Sequence, residues 1–231
     1  METFQTIIEI IGIISFSVSG AVTAIRKSMD AFGVVILALI TTFGGGIMRD
    51  LILDVTPPAI FNQPVYIIIS IVTAIVVFFP FIRKFFCLNR KVYDIIMLVS
   101  DSLGLAVFAM VGLRAAEALY PQNYTLLILV GSISSVGGSV LRDIIIGRTP
   151  YIFVKHFYAC AAIVGVIVSM ILWNFWTPLG SMIVGAVVVF TLRILAAIFK
   201  WSLPHAHDAF FPDEKTEKKD DAAKNKELLS K

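Results

Sequence analysis

Apolar runs of about 20 residues recur along most of this 231-residue chain, each long enough to cross a hydrocarbon core about 30 Å thick. Nothing else in the sequence restricts the fold so strongly, because a backbone surrounded by lipid must satisfy its own polar groups. The runs read as seven membrane-spanning helices near Phe4–Ile25, Ala31–Leu53, Pro64–Ile82, Val92–Leu113, Tyr124–Ile146, Tyr151–Trp173 and Leu179–Phe199. Charged or helix-breaking segments separate them, among them Arg26-Lys27-Ser28, Thr56-Pro57-Pro58, Pro121-Gln122-Asn123 and Thr149-Pro150. A mean hydropathy of +0.90, with 58% hydrophobic and 15% charged residues, excludes an ordinary soluble domain. The expected class is therefore an all-α integral membrane protein. From Pro212 onward Lys, Glu and Asp dominate, and such a tail cannot bury enough apolar surface to fold alone. Two cysteines, Cys87 and Cys160, imply no disulfide framework.

Basic residues set an expected orientation. Arg26, Lys27, Arg83, Lys84, Arg90, Lys91, Arg148 and Lys155 fall in or beside the first, third and fifth connections, whereas the others contain only Arg114. The N-terminus is thus expected outside and the tail in the cytoplasm of a cell (inner) membrane.

A string then occurs twice. Gly44-Gly45-Gly46-Ile47-Met48-Arg49-Asp50-Leu51, running on to Thr56-Pro57, matches Gly137-Gly138-Ser139-Val140-Leu141-Arg142-Asp143-Ile144, running on to Thr149-Pro150. Thr42 falls on Ser135, and a polar cluster with Ser17 in the first helix answers one with Asp101 in the fourth. Repeats of three helices each, an odd number, lie inverted with respect to one another, and in transport proteins the permeant site tends to lie where such repeats meet. The expected organisation is a first repeat over residues 1–85, a second over 86–174, a seventh helix over 175–200 and a polar tail over 201–231.

The glycine clusters admit two readings. Small residues let membrane helices approach closely, while three glycines in succession also invite a kink whose freed carbonyls face a polar lumen. Arg49 and Arg142 are costly in lipid unless paired or wetted. Adjacent helix residues point apart, so cross-repeat pairs are expected, Arg49 with Asp143 and Arg142 with Asp50. Snorkelling to the nearer interface is the alternative. Asp101, a carboxylate deep in the fourth helix, is a candidate for a cation path, with Ser17 offering a neutral ligand opposite. Glu9 is a weaker candidate for the mouth. The sequence carries no Walker loop, zinc-ligand spacing or nucleophile–base pair, so neither catalysis, a cofactor nor a bound metal is expected. The mixed charges of the tail give no basic stripe for nucleic acid.

The doubled Gly-Gly-x-x-x-Arg-Asp string, with two inverted three-helix units and one extra helix, resembles the prokaryotic trimeric intracellular cation (TRIC) channels from about Phe4 to Phe199. The resemblance implies a homotrimer in contact with membrane lipids, one pore per protomer, and passage of potassium and sodium. It assigns the gate to kinks at Gly44, Gly45 and Gly46 and at Gly137 and Gly138, with Arg49, Asp50, Arg142 and Asp143 as the charged motif positions. Ser139 replaces the third glycine of the second copy, which stiffens that kink. The expected path is lined by Asp101 and by hydroxyls from Ser17, Thr42 and Ser135. An inverted repeat equally suits a secondary carrier of a small solute such as glycine, and a non-conducting scaffold is a third class.

Overall fold

The structure is a computed structural model describing residues 2–82, 90–150, 152, 157–173 and 175–201. Within these, seven α-helices follow one another: α1 (Glu2–Arg26), α2 (Ala31–Ile52), α3 (Pro64–Phe78), α4 (Arg90–Leu119), α5 (Tyr124–Ile145), α6 (Tyr158–Trp173) and α7 (Pro178–Ile198), with one 3-10 turn at Ala59–Asn62 before α3. Five of them, α1, α2, α4, α5 and α7, are long and apolar enough to cross a membrane, and α3 and α6 are shorter apolar helices. Cys87, His156, His205, His207 and the charged tail lie outside the described residues.

Local chemistry sets the helix ends. Asp30 caps α2 by accepting the Gly33 N–H at 2.8 Å, and Asn123 caps α5 by accepting the Leu126 N–H at 3.1 Å. Thr177 caps α7 with Pro178 at its first position, where a missing N–H costs nothing. At the other ends, α2 and α5 stop alike. Asp54 (φ 58°) and Gly147 (φ 66°) take the left-handed conformation, and the following N–H groups return to the carbonyls of Asp50 and Asp143.

α2 and α5 pack on each other at the centre, α1 and α3 flank α2, α4 and α6 flank α5, and α7 lies on α4 and α6. The central crossing is antiparallel, and its register is set by glycine. A side chain at Gly45 would run into the Ser134 carbonyl of α5, and one at Gly138 into the Thr41 carbonyl of α2. Both helices pass through these clusters without a break. Backbone-to-backbone packing is what these glycines serve here.

α1 and α4 cross in the same antiparallel sense. Gly12 meets Val107 and Phe108, Gly104 meets Phe16, and the Phe16 and Phe108 rings stack with centroids 5.3 Å apart. Gly20 abuts Ala38 and Thr41 of α2, and Gly112 abuts Gly131 and Ser134 of α5. Polarity is distributed inside out. Serines 17, 19, 70, 102, 134, 135 and 169, with Asp101 and Arg142, are buried, while Ile68, Val72, Ile75, Val187 and Ile198 are exposed. Lipid, not water, is the solvent that such a surface fits.

Candidate functional site

Two charged clusters and a knot of hydroxyls lie along the seam between these helices. In the first cluster, Arg142 of α5 is completely buried (0% exposed), which in a low-dielectric interior demands partners. Its Nη1 donates to Asp101 Oδ1 of α4 at 2.8 Å and to Ser19 Oγ of α1 at 2.6 Å, and its Nε donates to Asp143 Oδ1 at 2.9 Å. Ser19 also donates to Asp101 at 3.3 Å. Beside them the Tyr158 hydroxyl of α6 donates to Ser139 Oγ at 2.9 Å, and the Arg193 guanidinium of α7 lies 4.4 Å above the Tyr158 ring.

The second cluster surrounds open space. Arg49 Nε of α2 donates to Asp50 Oδ1 at 2.7 Å, and Asp50 Oδ2 accepts the Ala59 N–H at 2.9 Å. Glu9 of α1 accepts the Tyr66 hydroxyl of α3 at 2.8 Å and the Gln5 side-chain amide at 3.2 Å. Glu9, Tyr66, Arg49 and Asp50 line a cavity of about 290 Å³ between α1, α2, α3 and α4. Its inner wall includes Thr42, Ile13 and Phe108. There the cavity meets the hydroxyl knot, in which Ser17 Oγ lies 3.0 Å from Thr42 Oγ1 and 2.6 Å from Ser70 Oγ.

The sequence-derived candidates are thus partly brought together. Ser17 and Thr42 meet, joined by Ser70, which sequence reasoning missed. Asp101 lies in the closed cluster, held by Arg142 and Ser19 and not facing the cavity. Ser135 is buried with its hydroxyl on the Ser132 carbonyl at 2.7 Å, and α5 does not line the cavity.

The charge pairs need correction. Among the described residues Arg49 pairs with Asp50 and Arg142 with Asp143 and Asp101, so the expected pairs Arg49–Asp143 and Arg142–Asp50 do not form. Geometry gives the reason. Arg49 lies four residues beyond the glycine crossing and Asp143 five beyond it, on antiparallel helices that leave in opposite directions, which separates them by about 13 Å at 1.5 Å per residue. The arginine side chain, meanwhile, is long enough to bend its Nε onto the next residue's carboxylate.

The register of α1 also differs from expectation. Gly12 and Gly20 do in α1 what Gly104 and Gly112 do in α4. The positional counterpart of Asp101 is therefore Glu9, and Ser17 answers to Ala109. Tyr66 and Tyr158 stand in the same relation. The equal Gly-x7-Gly spacing in the two helices was the signal that could have found this.

Comparison with known proteins adds the following. A family model described as "Glycine transporter" matches the chain over residues 6–81 and again over 98–174. The UPF0126 membrane protein YvgT of Bacillus subtilis is 34% identical over 206 residues, covering 86% of this chain and 95% of that protein. The UPF0126 inner membrane protein YadS of Escherichia coli is 33% identical, covering 85% and 92%. Among solved structures, a prokaryotic TRIC channel crystallised in 0.5 M KCl superposes with a TM-score of 0.80 at 31% identity, covering 88% of this chain and 100% of that one. A second, described as the structural basis for conductance through TRIC cation channels, gives 0.76 at 35% identity, covering 87% and 96%. The trimeric intracellular cation channel orthologue of Rhodobacter sphaeroides gives 0.78 at 28% identity, covering 86% and 100%.

Proposed function

The chain belongs to the prokaryotic TRIC channel family, and from that premise we propose that it is a monovalent cation channel for potassium and sodium with one pore in each protomer. The observation that carries this reading is the cavity between α1, α2, α3 and α4. It is entered past Glu9, Asp50 and Arg49 and ends on the linked hydroxyls of Thr42, Ser17 and Ser70. Hydroxyl oxygens replace part of a cation's hydration shell there, and the two carboxylates at the mouth favour positive charge. We place the rest of the path beyond the hydroxyls, toward the cluster of Arg142 and Asp101, whose buried ion pair closes it. Opening requires that cluster to rearrange, and the glycines of α2 and α5 are where those helices bend at least cost.

The architecture we propose is a pair of inverted three-helix repeats, α1–α3 and α4–α6, followed by α7, with α3 and α6 also crossing the membrane. The two matches of one family model, the paired caps and the reciprocal glycine contacts support it. The charge asymmetry of the connections supports an external N-terminus and a cytoplasmic tail in a bacterial-type cell membrane. Exposed apolar faces on α3 and α7 leave room for lipid and for homotrimer contacts. Purified protein in planar bilayers tests the function. Discrete unitary currents whose reversal potential follows the potassium and sodium gradients are expected, and their absence across both cations refutes a channel.

A second reading, a carrier of a small zwitterion such as glycine, draws on the description of the matching family model and on a cavity lined by both a guanidinium and carboxylates. Slow, saturable glycine uptake into liposomes without unitary currents is the result that favours it.

A further inference from the structure

The two charged clusters contain the same four groups. Each has an Arg-Asp pair from the central helix, Arg49-Asp50 of α2 or Arg142-Asp143 of α5. Each has a carboxylate from the helix before it, Glu9 or Asp101, and a tyrosine from the helix after it, Tyr66 or Tyr158. Their states differ. Asp101 touches the Arg142 guanidinium at 2.8 Å. Glu9 and Arg49 face one cavity, and no ion pair joins them among the described residues.

The tyrosines account for that difference. Tyr158 gives its hydroxyl to Ser139, which leaves Asp101 to the arginine. Gly46 stands at the place of Ser139 in the first copy and offers no hydroxyl, so Tyr66 donates to Glu9 and holds it off Arg49. The missing side chain at Gly46 also leaves space, since the nearest atom a Cβ would meet there is Arg49 Nη2 at 3.9 Å.

From this we infer that Glu9 is a gate residue: in a second state it closes the cavity mouth by pairing with Arg49, as Asp101 closes the opposite end by pairing with Arg142, and loss of one pair favours formation of the other. Glu9's role rests on the inverted repeat proposed above. A carrier passes from one pair to the other, whereas a channel conducts while both are broken, and in either case closure lies in a named ion pair and not in a glycine kink.

Accessibility of a single cysteine reads the mouth directly. In a background with Cys87 and Cys160 replaced by serine, Ala115→Cys places a thiol on the cavity wall without touching Gly46. Its modification by a membrane-impermeant thiosulfonate is timed in proteoliposomes. Asp101→Asn weakens the far pair, shifts the protein to the second state and slows modification at position 115 about five-fold or more. Adding Glu9→Gln restores the original rate. If Asp101→Asn does not yield monodisperse protein, Arg142→Lys, which keeps the charge and loses the guanidinium fork, replaces it. An unchanged or faster rate in the Asp101 or Arg142 variant, or a slow rate that Glu9→Gln does not restore, overturns the assignment. Labelling of Lys27→Cys and Gln122→Cys separates this from failure of the repeat itself. Modification of both from one side of the membrane refutes the inverted repeat. Modification from opposite sides with no effect of Glu9→Gln refutes only the gate role of Glu9.

Discussion

Replacing Gly138 by alanine tests whether the glycines serve packing or bending. The added methyl falls on the Thr41 carbonyl oxygen of α2, with the Thr41 carbonyl carbon 2.9 Å behind it, where ordinary contact begins near 3.4 Å. A backbone carbonyl inside a helix cannot rotate aside, so α2 and α5 must part by on the order of 1 Å, and contacts along the crossing loosen together. Overpacking of this kind costs about 1–3 kcal/mol, toward the upper end when the obstacle is rigid. Alanine returns about 1 kcal/mol of helix propensity, which leaves a net loss of about 2 kcal/mol. Gly46→Ala is the internal control, because its methyl meets nothing closer than Arg49 Nη2 at 3.9 Å. It keeps the propensity gain without the clash. Thermal unfolding in detergent, followed by size-exclusion fluorescence, should place Gly138→Ala on the order of 5 °C below wild type and Gly46→Ala at or above it. Equal stability of the two variants refutes the packing role of Gly138.

Asp101→Asn should lower cation conductance in planar bilayers, because it strips Arg142 of one of its carboxylates and leaves positive charge in the path. Unchanged conductance and selectivity remove Asp101 from the path. The same variant should lose about 3–5 kcal/mol of stability, the cost of breaking a buried pair, and Asp101→Asn with Arg142→Gln should recover part of it, as read by thermal melts of all three proteins. Thr42→Val keeps shape and removes a hydroxyl from the knot with Ser17 and Ser70, so unitary conductance should fall while the protein stays folded, and a wild-type current would show that the hydroxyls do not touch the ion. Asp30→Ala and Asn123→Ala each remove a helix cap and should each cost about 1 kcal/mol in the same melts, with similar losses at the two equivalent ends.

Much of the scaffold was legible because membrane helices announce themselves by length and their ends by breakers. The start of α2 after Asp30 and of α5 after Asn123, and the role of Pro64 and Pro178 at helix starts, follow from capping chemistry that needs no tertiary information. The doubled Arg-Asp string located both charged clusters. What failed was the inference from side-chain direction to partner. Cβ vectors of Arg49 and Asp50 diverge, yet three methylenes let the guanidinium turn back. The antiparallel crossing at Gly45 and Gly138 also puts the other copy's carboxylate out of range. The alignment of α1 with α4 failed because polar residues were matched to polar residues. Close approach is decided by what lacks a side chain, and Gly12, Gly20, Gly104 and Gly112 fix that register. The inequality of the two clusters was not legible at all, since it depends on where the hydroxyls of Tyr66 and Tyr158 go, and those belong to helices with no motif of their own.

The contact of α2 with α5 has a mechanical consequence. Where glycine meets carbonyl on both sides, the helices bear on each other near their middles, with Leu141 reaching onto Gly44 and Met48 onto Gly137 from the opposite helix, and little there resists one helix rocking on the other as a row of large residues would. Two rods that bear on each other at such a point behave as a seesaw about a fulcrum. Tilt that spreads one pair of ends draws the other pair together, so an aperture gained on one face of the membrane is an aperture lost on the other.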